Sequence, residues 1–164
     1  MNRRILGVDL GNVIRPAVPN GQHGSFDLSD ESFLYSPDFP GALPCLLKAR
    51  EHFDEIHLVS RIIEGRDHDR NRWLTHRGYD EVFDERHYCR EYEDKAAICE
   101  RLGVTHFVDD QLFKVLSRLT MVKKLFWFRA ILEPSDLDHL HLLRERRIRV
   151  AASWPRLRPQ LIGL

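Results

Sequence analysis

Short runs of apolar residues recur along the chain and are separated by stretches with helical spacing. Runs of this length are typical of parallel strands that are buried on both faces. They predict strands at residues 5–8, 56–59, 81–83, 106–108 and 125–128. The stretches between them predict helices over residues 42–52, 67–77, 95–102 and 111–119. A glycine directly follows the second and the third of these helices, as expected where a helix ends.

Strands that alternate with helices over one domain's length predict an open α/β domain. Right-handed crossovers place helices on both faces of a mostly parallel sheet, which has about five strands here. Ligands of such sheets bind beyond the carboxyl ends of the strands. We therefore expect the functional residues directly after the strands, within a single domain that spans residues 1–164.

Two segments depart from this alternation. Residues 15–40 contain four prolines and few apolar residues, which predicts a long loop beside the site. Leucines at helical spacing after Pro134 predict a further helix, which is followed by the basic run 144–149. We interpret this run as a solvated helix end rather than as an anion site.

Composition and charge narrow the classes of function. The chain has 164 residues, 43% of them hydrophobic, which is ordinary for a folded domain and excludes a disordered or collagen-like chain. Because 25 basic residues balance 25 acidic ones, no net charge draws the protein to nucleic acid or to a membrane. An odd number of cysteines and the absence of a signal or membrane-spanning run predict a cytoplasmic protein with reduced thiols. The nine histidines form no HExxH-type pair, so we expect no structural zinc site.

Polar residues that carry chemistry stand at the ends of the predicted strands and at one helix start. Asp9 follows the first strand within the run GVDLGNVI, Ser60 follows the second, Lys95 opens a helix, and Asp109 and Asp110 end the fourth strand. Taken singly, each has an ordinary explanation, because Asp and Ser often cap helices and Lys is often an exposed helix charge. The acidic pair is less ordinary, since adjacent carboxylates repel each other unless a cation compensates.

In identity, order and placement this set resembles the haloacid dehalogenase superfamily of phosphohydrolases, over about residues 4–128. The resemblance implies a three-layer Rossmann-like fold and a phosphatase in which Asp9 attacks phosphorus. It assigns catalytic roles to Ser60 and Lys95 around the phosphoryl group. Asn12 and Arg61 join these two residues as expected phosphate ligands.

The resemblance also implies a Mg²⁺ ion at the same place. Its ligands would be the Asp9 carboxylate, the backbone carbonyl of Gly11 and the acidic pair, with Asp110 as the main ligand and Asp109 in support. A cation suits the chemistry, because an anionic carboxylate cannot approach a phosphate dianion unless positive charge lies between them. A lysine and hydrogen-bond donors around the phosphoryl oxygens act in the same direction.

One position departs from the superfamily's common Asp-x-Asp motif, whose second Asp protonates the leaving oxygen and then activates water. In this chain that position is Gly11. Acid–base help of this kind is worth about 10²–10⁴ in rate. Asp-x-Gly variants of the superfamily include sugar-phosphate phosphatases, so the glycine does not imply inactivity. The residues that remain open as a substitute acid are His23, Asp27, Asp30 and Glu31 in the long loop and His87 after the third strand.

Segment lengths favour a member of the superfamily without a cap domain. Caps are inserted either after the first motif or after the third strand, but residues 15–40 are too short and proline-rich for one and residues 84–94 have room only for a loop. Capless relatives act on macromolecular phosphates or close their site by forming oligomers. We expect a phosphorylated small molecule or nucleotide as substrate, with a macromolecular phosphate as the alternative and no membrane partner. The arginines near the second motif are Arg61, Arg66, Arg70, Arg72 and Arg77, and those at helical spacing, Arg66, Arg70 and Arg77, are interpreted as a solvated face.

Three functions are compatible with these observations. The first is a Mg²⁺-dependent phosphohydrolase that cleaves a phosphomonoester through an aspartyl phosphate on Asp9. The second is a catalytically weakened domain that binds a phosphorylated ligand or protein partner, which Gly11 favours. The third is an enzyme that cleaves carbon–halogen or carbon–phosphorus bonds, which would need a cap.

Overall fold

A parallel β-sheet forms the centre of the structure, a computed structural model that describes residues 3–16 and 31–163. The strands within these residues are β1 (Ile5–Val8), β2 (Glu55–Arg61), β3 (Glu85–Cys89), β4 (His106–Asp109), β5 (Lys124–Phe128) and β6 (Ile148–Ala151). All neighbouring strands pair in parallel, in the order β3-β2-β1-β4-β5-β6. The predicted α/β class with a parallel sheet is confirmed, with six strands in place of about five.

Helices cover both faces of this sheet and give the predicted three layers. They are α1 (Ala42–Ala49), α2 (Asp67–His76), α3 (Asp94–Leu102), α4 (Leu140–Glu145) and α5 (Trp154–Ile162). Buried residues of α1, α2 and α5 share one hydrophobic core, and those of α3 and α4 share the other. The glycines after α2 and α3, Gly78 and Gly103, have φ angles of 84° and 68°, which confirms the predicted helix ends.

One glycine in β1 is required by packing between strands. Gly7 pairs with Phe107 of β4, and a Cβ atom at Gly7 would lie 2.4 Å from the Phe107 ring. A side chain there would displace the ring, which is fully buried. β1 and β4 therefore pack closely directly below their carboxyl ends.

The third predicted strand is wrong. Residues 81–83 belong to the end of a 3₁₀ helix (Tyr79–Glu81) and the turn after it, and the strand lies at Glu85–Cys89, where we predicted a loop. Its sequence, ERHYC, has no apolar run, and only its last residue is buried. As the edge strand of the sheet it needs little apolar surface, and periodicity therefore misses it.

The remaining differences concern the second half of the chain and the long loop. Residues 111–119 form turns and a short 3₁₀ helix (Leu116–Arg118) rather than an α-helix, and the basic run 144–149 crosses the end of α4 and enters β6. Neither β6 nor α5 was predicted. Of the predicted loop 15–40, residues 17–30 lie outside the described part, and residues 31–35 form a 3₁₀ helix that buries Phe33 and Leu34. Within the described ranges no helix has the length and apolar character needed to cross a membrane.

Candidate active site

The carboxyl ends of β1 and β4 lie side by side at the centre of the sheet. Val8 pairs with Val108, and the N–H group of Asp9 donates a hydrogen bond to the Val108 carbonyl oxygen at 3.0 Å. Asp9 directly follows β1, and Asp109 is the last residue of β4. Both carboxylates are therefore buried at the carboxyl end of the sheet, with Asp9 5% exposed and Asp109 fully enclosed.

Lys95, the second residue of α3, inserts its ammonium group between these two carboxylates. Its Nζ atom lies 2.6 Å from Asp109 Oδ2 and 3.0 Å from Asp9 Oδ1, and the whole residue is buried. Burial alone would lower the pKa of Lys95, but the charges of Asp109 and Asp9 raise it above its usual value. The two carboxylates therefore stabilise the charged form of the lysine, and the structure brings all three side chains together.

Asp109 uses both of its oxygens for contacts within the protein. Oδ2 accepts the hydrogen bond from Lys95, and Oδ1 accepts one from the backbone N–H of Gln111 at 2.7 Å. Burial raises the pKa of Asp109 to about 7, although Lys95 opposes this effect. These contacts favour a supporting role for Asp109, in which it holds Lys95 in place.

Asp110 occupies a more open position beside the pair. Its Oδ2 accepts hydrogen bonds from Asn12 Nδ2 at 3.2 Å and from Gln111 Nε2 at 2.9 Å. The Trp127 indole fixes the backbone here by donating to the Asp110 carbonyl oxygen at 2.9 Å. Burial, followed by the negative charge of Asp9, raises the pKa of Asp110 to about 6. Its ionised form therefore calls for a further cation nearby.

The three carboxylates fit a hard divalent cation. One oxygen from each of Asp9, Asp109 and Asp110 lies within 4.8 Å of the other two. Apart from its ion pair with Lys95, the buried Asp9 Oδ1 atom accepts no hydrogen bond from the described residues. Mg²⁺ prefers oxygen ligands and is often held by one or two carboxylates and several waters. Asp9 and Asp110 are the residues that would hold it, since both Asp109 oxygens already have partners.

The turn after Asp9 contains Gly11 and Asn12, and Gly11 is the position that departs from the common Asp-x-Asp motif. Gly11 is exposed, its φ angle is not positive, and a Cβ atom there would meet no heavy atom within 4 Å. Neither space nor backbone geometry therefore requires a glycine at this position. Asn12 has a left-handed φ of 57°, and its amide donates to Asp110. Its expected contact with phosphate stays a prediction.

Ser60 and Arg61 lie inside β2, which extends to Arg61 rather than ending at Val59. Ser60 is buried and pairs with Tyr88 of β3. The Arg61 guanidinium donates from Nε to the Arg90 carbonyl oxygen at 3.1 Å and lies 4.7 Å from the centre of the Tyr92 ring. It is thus directed toward the segment between β3 and α3, and its role in phosphate binding stays a prediction.

Two arginines that the sequence left out of the site carry positive charge beside it. Burial lowers the pKa of Arg70 in α2, whereas the charges of Tyr88 and Asp9 oppose that effect. Arg15 is buried against the Trp73 ring, and burial together with the charge of Arg70 lowers its pKa to about 9. Two arginines that repel each other near a carboxylate create an environment that attracts anions. The neighbouring arginines Arg66, Arg72 and Arg77 are half-buried like Arg70 rather than solvated, so position on a helix face alone could not distinguish Arg70 from them.

The candidates for a substitute acid are only partly within the described structure. His23, Asp27 and Asp30 lie outside the described residues. Glu31 is exposed and pairs with Arg72. His87 lies within β3 rather than after it, and burial lowers its pKa, so its ring is mainly neutral near pH 7. The identity of the acid stays open between these residues.

The comparisons with known proteins address the fold. No protein-family model and no curated protein matches the chain. Among solved structures, the chain is similar to a haloacid dehalogenase-like family hydrolase from Xanthomonas campestris, with a TM-score of 0.59 and 8% sequence identity. The match covers 98% of this chain and 96% of that one. The chain therefore shares the fold of a haloacid dehalogenase-like hydrolase over nearly its whole length.

Proposed function

We propose that this protein is a Mg²⁺-dependent phosphohydrolase that cleaves a phosphomonoester with Asp9 as the nucleophile. The observation that carries the proposal is the cluster at the carboxyl ends of β1 and β4, which joins the buried Asp9, Lys95 and Asp109 to the partly buried Asp110. In parallel α/β sheets ligands bind beyond the carboxyl ends of the strands. A shared fold with a haloacid dehalogenase-like hydrolase supports the same assignment.

In this mechanism an Asp9 carboxylate oxygen attacks the phosphorus atom, the bond to the leaving oxygen breaks, and an aspartyl phosphate forms. Lys95 orients the Asp9 carboxylate, because its ammonium lies 3.0 Å from Oδ1. Bound Mg²⁺ would supply charge that offsets the repulsion between the carboxylate and the phosphate. Water then attacks the phosphorus, which releases orthophosphate and restores Asp9.

Recognition of the phosphoryl group falls to the positive charge around the site. The phosphoryl oxygens would contact the cations of Lys95 and the half-buried Arg70, and the Ser60 hydroxyl would donate a hydrogen bond to them. The segment between β3 and α3 is only residues 90–93, which leaves no room for a cap there. We therefore favour a capless enzyme, with a phosphorylated small molecule or nucleotide as substrate.

The decisive experiment compares Asp9→Asn with the wild type on an aryl phosphate, with Mg²⁺ and with a chelator. We expect Asp9→Asn to lose at least about a hundredfold in turnover, since the amide is a poor nucleophile. Asp138→Asn, at an exposed position in the second half of the chain, is the matched control and should keep full activity. Activity that survives in folded Asp9→Asn, or that ignores the chelator, would contradict the proposal.

The second candidate function is a phosphate-binding domain with weak or no turnover. Gly11 favours it, because the residue that commonly acts as acid and base is missing. Orthophosphate binding measured by calorimetry separates the two functions. A protein that binds orthophosphate in the presence of Mg²⁺ but turns over no aryl phosphate would be the binding domain.

A further inference from the structure

A second cluster of ligand-type side chains lies at the edge of the sheet, apart from the carboxylate site. His57 of β2 pairs with Glu85 of β3, and Val59 pairs with His87. Because alternate residues of a strand share a face, the side chains of His57, Glu85 and His87 project from the same side. Val59, which shares that side, packs in one core with Cys99 of α3. The cluster therefore lies on the face that α3 covers.

The buried His57 and the partly buried His87 each have an enclosed ring nitrogen that makes no hydrogen bond within the described residues. His57 is 3% exposed; its Nε2 atom lies 3.0 Å from Glu55 Oε2, whereas its Nδ1 atom has no hydrogen-bond partner among the described residues. The buried His87 Nε2 atom lies 3.1 Å from Glu85 Oε2 but makes no hydrogen bond within the described ranges. A buried polar nitrogen without a partner costs free energy, so such atoms call for an explanation.

The distances within the cluster are those of a metal site that is nearly assembled. The ring centres of His57 and His87 are 5.4 Å apart. One ligand atom from each of His57, Glu85 and His87 lies within 4.8 Å of the other two. A tetrahedral zinc ion holds its ligand atoms about 3.3 Å apart, so side-chain movements of about 1 Å would close the site.

We propose that His57, Glu85 and His87 bind a divalent transition metal such as zinc. Two imidazoles and one carboxylate are a donor set that zinc accepts, with a fourth position left for water. Glu55 adds a second independent feature, because its carboxylate contacts His57 Nε2 and leaves Nδ1 as the nitrogen that would bind the metal. A carboxylate in that place fixes the orientation and tautomer of a metal-binding histidine. Arg3 contacts Glu55 in turn and neutralises its charge.

This site is chemically and spatially separate from the proposed phosphatase centre. His57 is level with Gly7 of β1, two residues before Asp9, and β3 lies two strands from β1. Imidazole donors favour zinc, nickel or copper, whereas the all-carboxylate set of Asp9, Asp109 and Asp110 favours Mg²⁺. Expectations from the sequence missed the cluster because its ligands come from two paired strands rather than from one helical motif.

The metal would hold the edge strand β3 against β2. β3 is an edge strand with only one strongly buried residue, so few apolar contacts hold it against β2. A metal bound by His57 from β2 and by Glu85 and His87 from β3 would cross-link the two strands. The expected consequence is a higher thermal unfolding midpoint for the full chain in the presence of Zn²⁺.

The test uses the full chain without a histidine tag, after chelator treatment, in the Asp110→Asn background and in excess Mg²⁺. Both conditions suppress zinc binding at the carboxylate site. Zn²⁺ is titrated by calorimetry, and Co²⁺ is added as a spectroscopic probe of tetrahedral coordination by nitrogen and oxygen. We expect one equivalent of Zn²⁺ and the visible absorption bands of tetrahedral Co²⁺.

Variants then assign the ligands. His87→Gln should weaken Zn²⁺ binding at least about a hundredfold, and Glu85→Gln at least about tenfold. Glu55→Gln, which changes the partner of His57, should weaken it about 10–100-fold. His141→Gln, which changes an exposed histidine on α4, is the control and should bind as the parent does. Glu85 is exposed, so its variant is expected to fold even if a histidine variant does not. Absence of a bound equivalent in the parent, or unchanged affinity in both Glu85→Gln and His87→Gln, would overturn the proposal.

Discussion

Replacing Lys95 by methionine should expose how much of the fold's stability depends on one buried cation. In the structure its Nζ atom is shared between Asp109 and Asp9, and none of the three side chains is appreciably exposed. Lys95→Met keeps a long, unbranched side chain but leaves two buried carboxylates without their cation. Removing one partner of a buried ion pair costs about 3–5 kcal/mol. This is a large share of the roughly 5–15 kcal/mol that stabilises a typical domain.

The sign of the pH dependence follows from the pKa of Asp109. With Lys95 present, burial already raises this pKa to about 7, and without the cation it must rise further. An unfolded aspartate has a pKa of about 4, so between these values the folded variant binds a proton that the unfolded chain does not. Lowering the pH therefore stabilises the folded variant relative to its unfolded state. Its deficit against the wild type should be complete above the variant's raised pKa, should shrink as the pH falls from there to about 7, and should level off below about 7, where Asp109 of the wild type is protonated as well.

Urea unfolding followed by tryptophan fluorescence measures this deficit, since Trp73, Trp127 and Trp154 are all buried. The matched control is Lys48→Met, because Lys48 forms an exposed pair with Glu51. Exposed pairs contribute about 0–1 kcal/mol, so the control should lose little stability at any pH.

A double-mutant cycle tests the physical cause. Asp109→Asn removes the carboxylate charge but keeps its shape, so Lys95→Met combined with Asp109→Asn should cost clearly less than the sum of the single changes. Coupling of about 0.5–3 kcal/mol is normal for residues in contact. A deficit below about 1 kcal/mol for Lys95→Met at pH 8.5, no change of that deficit with pH, or additive single effects would refute the reasoning.

Three further predictions follow from the same geometry. Gly11→Asp should raise turnover of alkyl phosphates relative to aryl phosphates by up to about 10²-fold, because a side chain fits there; an unchanged alkyl-to-aryl ratio would show that another acid already acts. Gly7→Ala should destabilise the fold by about 1–3 kcal/mol in urea through its clash with Phe107, whereas Gly11→Ala should be nearly neutral; equal effects would contradict the packing argument. Arg70→Gln should raise KM for a phosphorylated substrate about tenfold, with Arg66→Gln as the control, and a fall in kcat at constant KM would place Arg70 elsewhere in the mechanism.

The central strands and their chemistry could be predicted from the sequence because burial there is two-sided. β1, β4 and β5 consist of nearly uninterrupted buried residues, so their apolar runs identify them and locate Asp9 and Asp109 at their ends. The same rule fails at both edges of the sheet. β3 and β6 have mixed burial patterns, and short strands of this kind resemble loops in a single sequence.

Helix α5 and the position of Arg70 were missed for different reasons. Proline at positions 155 and 159 argues against a helix, yet Pro155 lies in the first turn, where its missing N–H group costs nothing. Arg70 was one of several arginines on a predicted helix, and the charge of Asp9 near it, which opposes the effect of burial on the Arg70 pKa, follows only from the folded arrangement. Local sequence patterns report the type of an element, but not which of its charges faces a site.

Charge balance links the proposed metal to the proposed substrate. Asp9, Asp109 and Asp110 carry three negative charges when ionised, and Lys95 offsets one of them. The remaining two charges repel a phosphate dianion and favour protonation, in agreement with pKa values of about 7 and 6 for Asp109 and Asp110. A bound divalent cation balances them, so Arg70 can attract the phosphate without opposition from the carboxylates. Below about pH 6 protonation of Asp110 competes with the cation, so Mg²⁺ affinity and turnover should fall together as the pH is lowered.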